Sequence, residues 1–133
     1  LVLRIHAEVG ELARATDRGL VLKSLFPMNL SQITSLAERQ TPLLLRSSSH
    51  VDVHFDIVVP DHFKMPASLP VGTEAFGESI VRVNDRVNGH LLRIERVVDI
   101  PAGRIEAGEP YRDFSRFVSR ADALLEREIV LGR

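Results

Sequence analysis

The chain has 133 residues, 44% of them hydrophobic and 26% charged, with a net charge of −1 and a pI near 6.6. That is enough chain for one domain with a real core, and it lacks the basic excess that a nucleic acid or an anionic membrane surface selects. Cys is absent, which excludes disulfides, thiolate metal sites and a cysteine nucleophile within these residues, and no apolar run approaches the roughly 20 residues that a bilayer demands.

"LVLRIHAEVG" comes first. Leu1, Leu3, Ile5, Ala7 and Val9 share one parity and Arg4, His6 and Glu8 the other, the two-residue period of a half-buried strand. Because it opens on Leu rather than Met, directly into that alternation, the chain is expected to be one segment of a longer protein. The turn signal "TDRG" then leads into "LVLKSLF", an expected strand over Leu20 to Phe26, which Pro27 stops because it has no N–H to give a ladder. "MNLSQITSLAERQT" carries no strand alternation. Leu30, Ile33, Leu36 and Ala37 fall at helical spacings instead, so a loop with one helical turn is expected.

"PLLLR" is a short apolar run and "SSS" a polar break. From His50 the alternation returns at full strength: Val51, Val53, Phe55, Ile57 and Val59 predict an inward-facing strand. "PDHFKMPASLP" has three prolines and reads as a loop. "EAFGESIVRVNDRV" and "HLLRIERVVDI" flank Asn88-Gly89, which predicts a hairpin closed by a type I′ turn. Arg96 shares the inward parity of Leu92, Ile94 and Val98. A buried unpaired guanidinium is costly, so it must pair or reach the sheet edge. Glu38, beside Arg39, is one candidate partner, and a structural ion pair is the reading preferred over recognition.

"PAGRIEAGEP" is a connection, after which the period changes to 3.6. Tyr111, Phe114, Phe117, Val118, Ala121, Leu124 and Leu125 mark one stripe, with Arg112, Asp113, Arg116, Arg120 and Asp122 pointing away. Pro110 suits the first turn of this helix, and its stripe is expected to pack on the chain's own sheet. "REIVL" closes the chain as a strand over Glu128 to Leu131. The sum is one domain over 1–133: mainly β, an antiparallel sandwich-like arrangement with one amphipathic helix near the C-terminus.

Chemistry is most tempting in "HVDVHFDIVVP". His50, Asp52, His54 and Asp56 share one face of a strand, at roughly 6.5–7 Å spacing, close enough for His50, Asp52 and His54 to be candidate ligands of Zn²⁺, Mn²⁺ or Fe²⁺. A surface strand needs polar residues toward water in any case, and a site would need a further ligand such as His62 or His90. The solvent-face reading is the one preferred, and no metal or cofactor is assigned. His62 would serve as a general base only beside an acid and a hydroxyl in a cleft, and no Gly-x-Ser-x-Gly elbow presents a serine. No catalytic residue is assigned, and the glycines never fall at a phosphate-loop spacing.

Four phrases carry a resemblance: "FPMNL" (Phe26 to Leu30), "AERQTPLLL" (Ala37 to Leu45), "LLRIERVVDIPAGRI" (Leu91 to Ile105) and "YRDFSRFVSRADALLEREIVL" (Tyr111 to Leu131). In order and spacing they resemble the uncharacterised C-terminal domain of bacterial multidomain transglutaminase-like proteins. In that family an N-terminal β-rich domain precedes a papain-like core, and the resembled segment follows it. The resemblance spans nearly the whole chain and rests on structural phrases rather than catalytic ones. It implies a non-catalytic accessory or scaffolding β-sandwich-type domain whose partner is the neighbouring transglutaminase-like domain, which holds the family's Cys, His and Asp. It also implies the bacterial cell envelope or periplasm as the expected location. The alternative expectation is a stand-alone binding module that uses an exposed sheet face for a peptide, a glycan or a metal.

Overall fold

The computed structural model describes residues 2, 4, 11–22, 26 and 28–133. Most of the strand expected over Leu1 to Val9, and residues 23–25 of the one expected over Leu20 to Phe26, fall outside those described. In chain order the elements are β1 (Ala13–Thr16), β2 (Gly19–Leu22), a 3-10 helix (Leu30–Thr34), β3 (Leu43–Leu45) and β4 (Ser49–Val58). Then come β5 (Val71–Phe76), β6 (Ser79–Asn84), β7 (Arg86–Asn88), β8 (Leu91–Ile100), β9 (Gly103–Ile105), α1 (Glu109–Leu125) and β10 (Ile129–Leu131). Among the described residues the fold is mainly β with antiparallel sheets and a single α-helix near the C-terminus, as the periodicities predict.

The spine is a long two-stranded ladder. β4 pairs with β8 from Ser49 opposite Ile100 to Val58 opposite Leu91, and β3 pairs with β9 from Leu43 opposite Ile105 to Leu45 opposite Gly103. Between the two stretches, residues 46–48 face only residues 101–102, so the first strand carries one extra residue. Such a bulge bends a ribbon. Ser48 Oγ bridges it by accepting the Ala102 N–H at 2.9 Å. The polar "SSS" break is thus a hinge in a continuous ladder, and "PLLLR" and "GRI", expected as an apolar run and a connection, are its far arm.

β8 is also the inner partner of the next strands, giving the order β4-β8-β6-β5, with β7 continuing β6 along β8 in the same register. Two turns differ from expectation. The run expected as one arm folds back at Gly77-Glu78, where Phe76 pairs with Ser79 and Gly77 has φ +55°. The second hairpin turns on Gly89-His90 rather than Asn88-Gly89: Asn88 pairs with Leu91, Gly89 has φ +60°, and no described non-glycine residue has positive φ. One positive φ, at the first central position, is the type II′ arrangement, which demands glycine only there.

All of the second layer lies on one face of this sheet. β8 sends Leu92, Ile94, Arg96, Val98 and Ile100 inward, all buried. Val98 and Ile100 meet Phe114, Phe117, Val118, Ala121 and Leu125 of α1 together with Phe26, Leu30, Val81 and Val83. Phe76 of β5 packs edge-on against Phe114 at 5.3 Å, and the bent arm adds Leu43, Leu45 and Ile105. Leu92 and Ile94 meet Leu22, Val59, Ile129 and Leu131, the core beneath the small sheet β1-β2-β10. Helix covers one half of the sheet and sheet covers the other, with Arg96 at the seam. The small sheet closes on Gly19, whose φ is +129° and whose Cβ, if it had one, would lie 2.0 Å from the Leu131 carbonyl oxygen. Only glycine lets β2 and β10 approach there.

In this packing one expectation holds in part and another changes. β4 faces inward as its parity predicts, but from the edge of the sheet, so its inward row is only half-buried and Phe55 keeps 40% of its surface exposed. Asp122 does not point away from the core. It is buried and accepts the Leu30 N–H at 2.8 Å and the Ser31 N–H at 2.7 Å, capping the 3-10 helix from across the core. No helix of the described residues is long and apolar enough to cross a membrane.

Candidate functional site

The sheet face opposite α1 is open, and it gathers the residues singled out in the sequence. Strand parity sends His50, Asp52, His54 and Asp56 of β4 to this face, all exposed. The ladder sets His50 opposite Asp99, His54 opposite Glu95 and Asp56 opposite Arg93. His54 Nε2 lies 2.7 Å from Asp52 Oδ1 along the strand, and His50 Nδ1 lies 3.4 Å from Asp99 Oδ2 across it. Arg93 grips Asp56 with two N–H donors, at 2.9 and 3.2 Å. Arg86 donates to Glu95 at 2.5 Å and Asn84 to the same carboxylate at 3.3 Å. The Arg93 guanidinium holds the Asp56 carboxyl below its ordinary value.

This face is a lattice of opposite charges in cross-strand and along-strand pairs, the arrangement by which a solvated sheet surface satisfies its own polar groups. It does not converge on a point. Among the described residues no group of three or more His, Asp or Glu side chains is placed to hold one metal ion. His50, Asp52 and His54 lie on one face as parity requires, but the further ligand is not supplied. His62, exposed in the loop after Pro60, packs its ring against Phe63 at 4.3 Å. His90, in the second hairpin turn, has Nδ1 3.6 Å from Asp61 Oδ1. Of the three serines in the polar break, Ser48 is committed to the bulge.

The strongest electrostatic feature lies inside. Arg96 and Asp85 are both buried, with Nη2 2.9 Å from Oδ2, and the Arg96 Nη1 donates to the Leu125 carbonyl at the end of α1. Asp85 therefore answers Arg96, in place of Glu38. Among the described residues, Asp85 Oδ1 and Arg96 Nε have no hydrogen-bond partner. Burial pushes the Asp85 carboxyl above its ordinary value, and the guanidinium only partly offsets this. The sequence did hold a signal for the pair. Asp85, at the joint between β6 and β7, shares the parity of Val81 and Val83, so an inward charge of opposite sign lies beside Arg96 of β8.

Glu38 instead lines a surface cleft of about 320 Å³ with Arg39, Gln40, Gly108, Tyr111 and Arg112. Its polar groups brace the wall. The Tyr111 hydroxyl donates to the Leu36 carbonyl at 2.5 Å, Arg39 stands over the Tyr111 ring at 5.8 Å, and Arg39 Nε donates to the Thr41 carbonyl at 3.1 Å. The segment from Leu36 to Pro42 is thereby fastened to the start of α1.

Comparison with models of protein families gives no match, and comparisons with curated proteins and with solved structures give none either.

Proposed function

We propose that this chain is a non-catalytic accessory domain that accompanies a transglutaminase-like, papain-like catalytic domain in a longer polypeptide. The observation that carries this is where the resembling phrases meet. Asp122, in "YRDFSRFVSRAD", caps the backbone N–H groups of Leu30, which closes "FPMNL", and of Ser31. Tyr111, which opens the helix phrase, carries Arg39 of "AERQTPLLL" over its ring. Leu43 and Leu45 of that same phrase pair with Ile105 and Gly103 of "LLRIERVVDIPAGRI". The four phrases are the joints of one structure, which is why they occur together and in order. They specify a scaffold, and the ionisable side chains of the open face are engaged with one another rather than gathered around a reacting atom. The chemistry is then assigned to the neighbouring domain and its Cys, His and Asp.

The test is an assay of the 133-residue chain alone for amine incorporation into glutamine-containing peptides and for peptide hydrolysis. No turnover above buffer is expected, and His62→Ala leaves the result unchanged. Turnover that the His62→Ala variant abolishes would contradict the proposal and establish a small stand-alone enzyme.

A further inference from the structure

β4 ends its sheet with one side unpaired: among the described residues its only strand partner is β8. It runs ten residues without a Pro or a Lys, two of the devices that commonly blunt an exposed edge. Its backbone phase is set by the Val59 N–H, which donates to the His90 carbonyl at 2.8 Å. In an antiparallel ladder a residue directs both its N–H and its C=O to the same side, and the side alternates along the strand. Odd-numbered residues of β4 therefore bond β8, while His50, Asp52, His54, Asp56 and Val58 direct their backbone groups to the free edge.

We infer that this edge pairs antiparallel with the same edge of a second copy of the chain, in the register that sets His50 opposite Asp56 of the second copy and Asp52 opposite its His54. Complementarity of imidazole and carboxylate side chains, and the repulsion of carboxylate by carboxylate, select that register. Only even-numbered residues carry free edge groups, so neighbouring registers differ by steps of two. One step either way sets Asp52 against Asp52 of the second copy, or His54 against His54. The chosen register matches each His with an Asp because "HVDVHFD" exchanges its His and Asp positions when read in reverse. Two steps away the charges match again, but over fewer residues. On the inner face Val53 then lies on the two-fold axis against its own copy, and Phe55 meets Val51 of the second copy. Phe55, 40% exposed in one chain, becomes covered, and the two sheets join into one. The contact is isologous, so it closes at two copies.

The wild-type 133-residue chain and four variants test this by sedimentation and oxidative cross-linking. The wild type is expected to move from 14.9 kDa to twice that mass as concentration rises from micromolar to millimolar. His50→Asp/His54→Asp gives an all-acidic edge and Asp52→Lys/Asp56→Lys an all-basic one. Each is expected to dimerise at least about tenfold more weakly, since several opposed pairs become repulsive, and an equimolar mixture is expected to restore dimers. The chain has no Cys, so Val53→Cys is expected to cross-link to itself across the axis, where a non-hydrogen-bonded pair has the Cα separation a disulfide needs. Phe55→Cys, which faces Val51 of the second copy, is not expected to do so. Matching thermal unfolding of the reduced variants and the wild type establishes that the substitutions leave the fold intact. A wild type that stays monomeric throughout, single-sign variants as dimeric as the wild type, or cross-linking through Phe55→Cys but not Val53→Cys would each overturn the inference. The first of these is also the outcome if another part of the polypeptide covers this edge.

Discussion

At the scale of single residues, the most consequential interaction is the buried Arg96–Asp85 pair, with the Leu125 carbonyl as third member. It sits where the two apolar cores meet and ties two strands to the end of α1. Removing one partner of such a pair leaves an uncompensated buried charge and costs about 3–5 kcal/mol, whereas replacing both with apolar residues of similar volume is often neutral or stabilising. Arg96→Met is therefore expected to lower the thermal midpoint strongly, and Arg96→Met/Asp85→Leu to recover most of the loss. Differential scanning calorimetry of the wild type, the single and the double variant checks both. The carboxyl itself gives a second readout. Because the folded-state value of Asp85 is raised, the folded chain takes up this proton before the unfolded chain does. Its contribution to stability therefore falls as pH rises through the interval between the ordinary aspartate value and the raised one. Asp56, held low by Arg93, has the opposite sign: its contribution is present above the ordinary value and is lost as pH falls through the folded one. Carboxyl carbon titration by NMR is expected to place the midpoint of Asp85 above that of Asp56, and Arg96→Met to raise it further.

At the scale of elements, α1 and the 3-10 helix are bound by more than apolar contact. Asp122 supplies both carboxylate oxygens to the first N–H groups of a helix more than ninety residues earlier in the chain. Bonds to a charged group contribute about 1.5–3 kcal/mol, and leaving buried donors unsatisfied is costly. Asp122→Ala is expected to destabilise the chain by about 2 kcal/mol, with hydrogen exchange of the Leu30 and Ser31 amides accelerated beyond the global change. Asp122→Asn, which keeps one acceptor, is expected to fall between. This cap also marks where sequence reasoning ends. The amphipathic stripe, the hairpin into β8 and the parity of β4 were legible because each follows from a local period. Asp122 was placed on the wet side of the helix by its chemical type, although it lies four residues beyond Val118 and on the same stripe. The ladder between β3 and β9 was hidden for a different reason. Its strands are three residues long, too short for alternation to register, and only the bend at the bulge brings them together. The turn at Gly77 is legible in "FGES", although the alternation on either side of it reads as one hairpin arm.

At the scale of the whole molecule, the fold is a long sheet covered on one face by helix and small sheet and left open on the other. The open face explains the His-Asp alternation of β4. The alternation is the polar side of a strand and, with its outward backbone groups, gives the edge a self-complementary charge pattern. Among the described residues no group of three or more His, Asp or Glu side chains gathers there, since β8 places Arg93, Glu95, Val97 and Asp99 on this face at ladder spacing rather than around one point. We propose a transglutaminase-like neighbour in the same polypeptide. Its presence is tested most directly by mass spectrometry of the native polypeptide that carries these residues, with peptide mapping across its full length. A mass well above 14.9 kDa, with peptides from a Cys-containing papain-like domain on the N-terminal side, is the predicted result. A native polypeptide that consists of these 133 residues alone, or one whose remaining peptides contain no such domain, would contradict the account.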